Sequence, residues 1–415
     1  MFFLIARSLR QHALSTLVTG GSVALAVGLT MAVLMLNVQI RNAFTGGPVG
    51  FDAVLGARGS QLQLVLNTVF HLETSPGNLP WSAYQAIRSD PRVELAIPYA
   101  VGDNYRGLRI VGTTVELFTK FEYQMGRKFE VEPGGKFFDP QRREAVVGSF
   151  AAHREHLSVG TIIHPYHGVV FDESSRHEEE YVVVGVLKPT NSPSDQVVWI
   201  PLEGIYRMQG HVLRGSGEPY AAEAGQDIPE QAQEVSAVML KLKSPQAGFA
   251  LEQTVNKQGK VATLAWPIGK VMAEVLDKLG WVVRVLDLLS YLVMLVAGCS
   301  ILASVYNTIL ERRREFAILR ALGARRSTVF TVVVGEAMAI STLGSLLGYA
   351  VYAVILLAAA YVIRAQTGVV LNLFEVSHSL VTVPLAMIAL GGVAGLLPAH
   401  RAYTTDVAEN LQATS

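Results

Sequence analysis

Half of the histidines of this sequence, five of ten, lie in one short polar stretch. His153 and His156 are three residues apart, as are His164 and His167, and His177 follows soon after. Residues three apart share a face of a helix, and acidic residues stand on both sides of His177. Imidazole and carboxylate groups are ligands that Zn²⁺ takes in proteins. The stretch is therefore either a polar surface loop whose side chains do not converge on one ion or a zinc site, and both interpretations remain open.

A second group lies between residues 311 and 326, where arginines, glutamates and apolar residues are mixed. The residue types favour a helix, and Gly323 is placed to end it. Phe316, Leu319 and Leu322 recur every three residues, which predicts one apolar face. Two interpretations remain open, namely a basic anchor at the lipid headgroups and a helix whose apolar face docks on another protein.

Glu336 lies near the start of a long apolar stretch. Acidic residues inside a membrane are functional by default. A position near the edge of the bilayer instead favours a structural hydrogen bond to a neighbouring helix. We expect the structural role.

The sequence lacks the motifs of several common catalytic sites. None of its three Gly-Lys pairs is followed by Ser or Thr, so the phosphate-binding loop G-x-x-x-x-G-K-[ST] is missing. The formal net charge is zero, which argues against a nucleic-acid surface. The single cysteine, Cys299, excludes a disulfide within the chain. We predict a chain that is not itself an enzyme.

Four long stretches contain almost no charge, and only 16% of all residues are charged. About 20 apolar residues are enough for a helix to span a bilayer. We therefore predict a membrane protein with four transmembrane α-helices and a large α+β extracytoplasmic domain inserted between helices 1 and 2. The predicted segments are an amphipathic N-terminal segment (1–12), helix 1 (13–40), the external domain (41–281), helix 2 (282–310), a short cytoplasmic helix (311–326), helix 3 (327–363), an external loop (364–377), helix 4 (378–398) and a tail (399–415).

Arginines flank these helices unequally. Arg7 and Arg10 precede the first helix, and six arginines lie between the second and the third. The loop between the third and fourth helices has only Arg364. Because lysine and arginine favour the cytoplasmic side, both termini and the 311–326 helix are predicted to be cytoplasmic.

The external segment mixes strand and helix patterns. Helices are predicted at 81–88 and 245–257, and a polar insertion at 214–233. From Ile268 a helix without proline is predicted to continue as a stalk into the second span. Short runs rich in β-branched and aromatic residues predict strands at 92–99, 106–111, 144–147, 181–187, 197–200 and 236–242.

The stretch from residue 311 resembles the hallmark of the FtsX/MacB-type ABC transporter permeases. E-R-x-x-E stands at Glu311–Glu315, I-L-R-A-L-G-A at Ile318–Ala324, and a glutamate, Glu336, near the third span. Gly395–Ala402 is similar to the closing G-x-x-P-A-x-x-A pattern of the family, and Ala6–Arg10 to its amphipathic N-terminal helix. The resemblance covers the membrane half strongly and the external domain weakly.

The resemblance implies a permease in the bacterial inner membrane, working as a homodimer or paired with a similar permease. Two copies of a separate cytoplasmic ATPase would bind ATP and Mg²⁺, while this chain would hold no cofactor apart from the zinc of the histidine hypothesis. ATPase closure would be passed through the stalk to the external domain, a mechanotransmission that exports or extracts an unidentified substrate. The matching residues in the ATPase-coupling helix are Glu311, Arg312, Glu315, Phe316, Leu319, Arg320, Leu322 and Gly323.

Two alternatives to this function remain open. An FtsX-like signalling subunit would use its external domain to activate a periplasmic or cell-wall partner enzyme. A metal-handling transporter would use the histidine stretch to bind zinc.

Overall fold

The chain forms two units in a computed structural model. A helical unit contains Met1–Ile40, Leu279–Val362 and Leu371–Ser415, and a mixed α+β unit contains Arg41–Lys278 and Ile363–Val370. Most of the predicted insertion at 214–233 lies outside the described residues. The described residues are 2–45, 50–208, 228–278, 280–367, 370–372 and 375–404.

The helical unit contains the four predicted apolar helices, each long and apolar enough to cross a membrane. Span 2 begins at Gly280, and a separate helix, Ile268–Lys278, precedes it in the chain. Leu279, through which the predicted stalk would continue, lies outside the described residues. The helices of this unit are the N-terminal helix (Phe2–Gln11), span 1 (Ala13–Thr45), span 2 (Gly280–Glu311), the loop helix (Arg313–Ala321), span 3 (Arg326–Thr367) and span 4 (Ser379–Thr404).

Glycines allow spans 1 and 3 to approach closely. A Cβ added at Gly344 would lie 2.5 Å from Val23 Cγ1, and one at Gly348 would lie 2.9 Å from Val27 Cγ1. On the opposite helix, a Cβ at Gly28 would lie 2.8 Å from the Gly348 carbonyl oxygen. Gly344 and Gly348 are one turn apart, the small-x-x-x-small spacing that lets helix backbones meet in membranes.

Span 4 packs against spans 2 and 3 in the same way. A Cβ at Gly298 of span 2 would lie 2.9 Å from Leu390 Cδ2. A Cβ at Gly395 of span 4 would lie 2.9 Å from Ala337 Cβ of span 3. Van der Waals packing is the main attraction between helices where lipid replaces water, so these contacts hold the bundle together.

The mixed unit is built on one ten-stranded sheet with the order β12-β1-β11-β3-β4-β9-β5-β8-β6, in which β7 pairs additionally with β3. The pairs β4–β9 and β5–β8 are parallel, and the other pairs are antiparallel. Within the described residues the strands, of which β2 and β10 form a separate two-stranded antiparallel sheet, are β1 (Ala53–Ala57), β2 (Leu79–Pro80), β3 (Val93–Tyr105), β4 (Leu108–Thr113), β5 (Glu144–Val147), β6 (Ile162–Ile163), β7 (Tyr166–His167), β8 (Tyr181–Val186), β9 (Val198–Pro201), β10 (Glu234–Val235), β11 (Ala237–Leu242) and β12 (Ala262–Ala265).

Both faces of this sheet are buried. Successive side chains of a strand point to opposite faces, so Val54 and Leu55 of β1 enter different apolar cores, as do Trp199 and Ile200 of β9. The helices and turns of this unit are Gln61–Thr68, Trp81–Arg88, Glu116–Thr119, Ser149–Arg154, Glu173–Ser175, Pro193–Gln196, Leu202–Arg207, Glu230–Ala232, Pro245–Glu252, Gln253–Gln258 and Ile268–Lys278.

Candidate functional site

The loop helix begins and ends at residues whose backbone leaves the helical conformation. Arg312 separates it from span 2, with φ −99° and ψ 12°. At its other end Gly323 has φ +99°. The Gly323 N–H donates to the Arg320 carbonyl and the Ala324 N–H to the Leu319 carbonyl, both at 3.0 Å. This is the Schellman arrangement that glycine favours, as the sequence predicted for Gly323.

Arg312 ties the loop helix to two other helices of the bundle. Its Nη1 donates to Glu336 Oε1 of span 3 at 3.0 Å and to Ser8 Oγ of the N-terminal helix at 2.5 Å. Its Nε donates to Glu315 Oε2 at 2.9 Å. The side chains of Arg312 and Glu336 are only 11% and 4% exposed. Burial opposes the charge on Arg312, but its bonds to Glu315 and Glu336 prevail and raise its pKa.

The prediction that Phe316, Leu319 and Leu322 form one apolar face of the loop helix is wrong. Phe316 is buried in the core of the helical unit, and Leu319 packs against the same core, whereas Leu322 is 81% exposed. A helix advances 3.6 residues per turn, so residues six apart are rotated by about 120°. Ile318, at 44% exposure, lies on the open side with Leu322.

The remaining residues of the predicted coupling segment differ in exposure. Glu311 and Glu315 have side chains that are 68% and 49% exposed. Arg320 is partly buried. Arg312 lies inside the unit, where its guanidinium is 5.0 Å from the centre of the Phe316 ring.

The five candidate zinc ligands do not all meet. His153 is exposed on the helix Ser149–Arg154, and His156 lies beyond its end with φ +53°, so the two do not form the predicted helical pair. His164 Nε2 lies 3.6 Å from Glu180 Oε1. His164 precedes β7 and His167 ends it, so this second pair is not helical either.

His167 and His177 do come together, on a residue that sequence analysis missed. His167 Nδ1 is 3.3 Å and His177 Nε2 is 3.6 Å from Asp103 Oδ1. Asp103 is fully buried near the end of β3. Little in the sequence marks Asp103, because it stands between Gly102 and Asn104, residue types that are common in turns, and beyond the end of the predicted strand 92–99.

Two family profiles together match most of the chain. The profile of the MacB-like periplasmic core domain matches residues 15–258, and that of the FtsX-like permease C-terminal region matches residues 288–407.

Three curated relatives are similar in sequence. A probable export ATP-binding/permease protein of Pseudomonas fluorescens is 25% identical over 201 residues, which cover 46% of this chain and 29% of that protein. The macrolide export ATP-binding/permease protein MacB of Azoarcus sp. is 31% identical over 144 residues, covering 32% and 20%. An uncharacterized ABC transporter permease of Methanocaldococcus jannaschii is 21% identical over 289 residues, covering 68% and 66%. The chain matches less than a third of either ATP-binding/permease protein.

Two solved structures align with about half of the chain. The extracellular domain of the noncanonical ABC-type transporter YknZ from Gram-positive bacteria is 15% identical, with 51% of this chain and 97% of that one covered and a TM-score of 0.29. The periplasmic region of MacB from Actinobacillus actinomycetemcomitans is 10% identical, with 55% and 94% covered and a TM-score of 0.34. These scores are too low for individual residue positions to be compared.

Proposed function

Because the chain belongs to the FtsX/MacB-type ABC transporter permease family, we propose that it is the membrane subunit through which a cytoplasmic ABC ATPase moves the α+β domain. Two relatives carry both ATP-binding and permease in their names, whereas this sequence has no phosphate-binding loop. ATP and Mg²⁺ then belong to a partner ATPase, in two copies for a permease paired with a second copy or a similar chain. The substrate is unidentified.

The arginine distribution supports one orientation in the bacterial inner membrane. Arg7, Arg10 and the arginines of residues 311–326 flank the spans on one side, and Arg364 stands alone on the other. By the positive-inside rule, both termini and the loop helix face the cytoplasm. The α+β unit then lies outside the membrane, and ATPase movements reach it as mechanical displacement.

The observation that carries this proposal is the two-sided loop helix. One side is fixed to the bundle by the Arg312–Glu336 bond and by buried Phe316. The other side presents Ile318 and Leu322 to solvent. A helix fixed on one side and apolar on the other is suited to dock in a groove and transmit its displacement.

Exposed apolar side chains on such a surface favour binding to a partner protein. Burying a leucine removes about 1.5–3 kcal/mol of unfavourable exposure, and buried apolar anchors carry most of the energy of an interface. The charges around Ile318 and Leu322, such as Glu315, would set orientation more than affinity. Loss of about 2 kcal/mol at Leu322 corresponds to about a 30-fold weaker complex.

The test is Leu322→Asp in the full-length permease expressed with its ATPase. We expect a large loss of co-purified ATPase at an unchanged membrane level of the permease, because Leu322 contacts no core. Met125→Asp is the matched control, since Met125 is an equally exposed apolar residue of the α+β unit, at 97%. Leu319→Asp is a poorer test, because Leu319 packs on the bundle core and its loss would also destabilise the permease.

Ile318→Asp gives a second, independent measurement on the same surface. Retention of the ATPase at the wild-type ratio by both Leu322→Asp and Ile318→Asp would show that this side of the loop helix only touches the membrane surface. An equal loss in Met125→Asp would show that the effect is not local to the helix.

A further inference from the structure

Three potential metal ligands from distant parts of the chain converge in the mixed unit. One ligand atom each from Asp103, His167 and His177 can be chosen so that all lie within 4.8 Å of one another. We propose that Asp103, His167 and His177 form a binding site for one Zn²⁺ ion.

The distances suit a small divalent cation. Ligand atoms about 2.1 Å from a tetrahedral Zn²⁺ are about 3.4 Å from one another. His167 Nδ1 and Asp103 Oδ1 are 3.3 Å apart, and His177 Nε2 and Asp103 Oδ1 are 3.6 Å apart. These two distances are within a few tenths of an ångström of that spacing, and all three chosen ligand atoms lie within 4.8 Å of one another.

The backbone holds the three side chains in place. Asp103 of β3 and His167 of β7 are directly opposite in antiparallel pairing, so their side chains share one face of the sheet. The chain then turns back, and the His177 N–H donates to the Pro165 carbonyl at 2.9 Å. That bond places His177 beside β7 and returns its ring toward Asp103.

Asn104 fixes the loop that carries both histidines. Its Nδ2 donates to the Gly168 carbonyl at 2.9 Å and to the Tyr166 carbonyl at 3.3 Å. Ser175 Oγ donates to the His167 carbonyl at 3.2 Å. Because ligands held by such contacts lose little freedom on binding, the affinity of the site benefits from this preorganisation.

One buried carboxylate and two imidazoles make up the proposed site. Asp103 is fully buried and the His177 side chain is 8% exposed, while that of His167 is 59% exposed. Arg109, which is also buried, is a nearby positive charge that acts on the same carboxylate. A metal at the two histidines would share Asp103 with Arg109.

The ligand set selects the class of metal and the kind of site. Two imidazoles and one carboxylate suit Zn²⁺, whereas Mg²⁺ and Ca²⁺ prefer oxygen ligands alone. Structural zinc sites usually have four protein ligands, and three leave a position for water or another ligand. The exposure of His167 places that position at the solvent, so the proposed site exchanges its ion with solution.

The test is equilibrium dialysis of the full-length detergent-purified permease against Zn²⁺, with metal measured by mass spectrometry. We expect one zinc per chain at micromolar free Zn²⁺, unchanged by millimolar Mg²⁺. His167→Ala alters an exposed side chain and should weaken zinc binding more than about tenfold. Changes to residues that only hydrogen-bond to metal ligands already weaken metal binding by about that much. The double variant His153→Ala/His156→Ala removes two exposed imidazoles outside the cluster and should bind zinc like the wild type.

Asp103→Asn is a second ligand variant and shows whether a loss of zinc in His167→Ala comes from the site itself. It is compared only if its size-exclusion profile matches that of the wild type. The proposal is overturned if the wild type binds no zinc under these conditions, or if His167→Ala binds it as tightly. Equal loss in His153→Ala/His156→Ala would overturn it too, because the ion would then lie elsewhere. These results do not depend on the ATPase, so they stand or fall separately from the proposed coupling function.

Discussion

Removing the charge of Glu336 should destabilise the helical unit far more than removing an exposed charge. In Glu336→Gln the 3.0 Å bond from Arg312 Nη1 to Glu336 Oε1 loses its anionic acceptor while the shape of the side chain is kept. Arg312 then remains buried with Ser8 and Glu315 as its polar partners.

The size of the effect follows from the burial of the pair. Two unit charges 3.0 Å apart attract by about 5–6 kcal/mol at an effective dielectric constant of about 20. Desolvation of both groups offsets most of this attraction, so the intact pair contributes little net stability. Removing one partner leaves the other charge buried, which costs about 3–5 kcal/mol. Because half-exposed Glu315 still binds Arg312, we expect a cost of about 3 kcal/mol, at the lower end of that range.

A double-mutant cycle measures this coupling. The variants are Glu336→Gln, Arg312→Met and the pair together, with the unfolding free energy taken from SDS titration in mixed micelles followed by helical circular dichroism. The double variant should be less destabilised than the sum of the two single variants, since each single variant leaves one buried charge without its partner and the double variant removes both charges. Arg314→Met is the control, because removing an exposed charge of the loop helix should change the unfolding free energy by less than about 0.5 kcal/mol.

Two results would refute this reasoning. A change in unfolding free energy below about 0.5 kcal/mol in Glu336→Gln would mean that Arg312 forms an equivalent hydrogen bond to water or to another acceptor. Strict additivity in the double variant would mean that the two residues act independently.

Three further outcomes are expected. Gly348→Leu should separate spans 1 and 3 and lower the unfolding free energy by about 1–3 kcal/mol, the range typical of overpacking, in the same titration. Gly21→Ala should be neutral, because nothing lies within 4 Å of its added Cβ. Gly323→Ala forces φ +99° on a residue with a Cβ, at a cost of about 1–2 kcal/mol, and limited proteolysis should then cut faster near residue 323 without a change in the spans. With Cys299 replaced by Ser, Met125→Cys should react with an impermeant maleimide in intact cells and Arg314→Cys should not; the reverse would invert the proposed orientation.

The long apolar spans could be predicted from the sequence because the bilayer imposes one local requirement, about 20 apolar residues in a row. Strand Glu144–Val147 and helix Trp81–Arg88 were predicted with the bounds observed, since each is a short, strongly patterned run. Predicted helix 245–257 was less accurate, because the α-helix ends at Glu252 and continues as a π-helical turn, Gln253–Gln258. Strands β1 and β12 were missed, because a few small and apolar residues carry little β signal alone.

The candidate sites depended on information that local patterns do not carry. Asp103 and His167 meet only because β3 and β7 pair across a long separation in the chain. Phe316 and Leu322 differ in burial because tertiary packing determines which side of the loop helix faces the bundle. Spacing alone could identify the residue types at both sites, but it could not show which residues converge.

The close packing at the glycines limits where a cargo could travel. Spans 1 and 3 touch at Gly348, spans 3 and 4 at Gly395, and spans 2 and 4 at Gly298. A water molecule needs a gap about one probe sphere wide, and at these crossings even one methyl group would not fit. No lumen passes between these helix pairs at those levels of the described bundle. A cargo that crosses the bilayer with this chain therefore cannot pass between spans 1 and 3, spans 3 and 4, or spans 2 and 4 at these crossings.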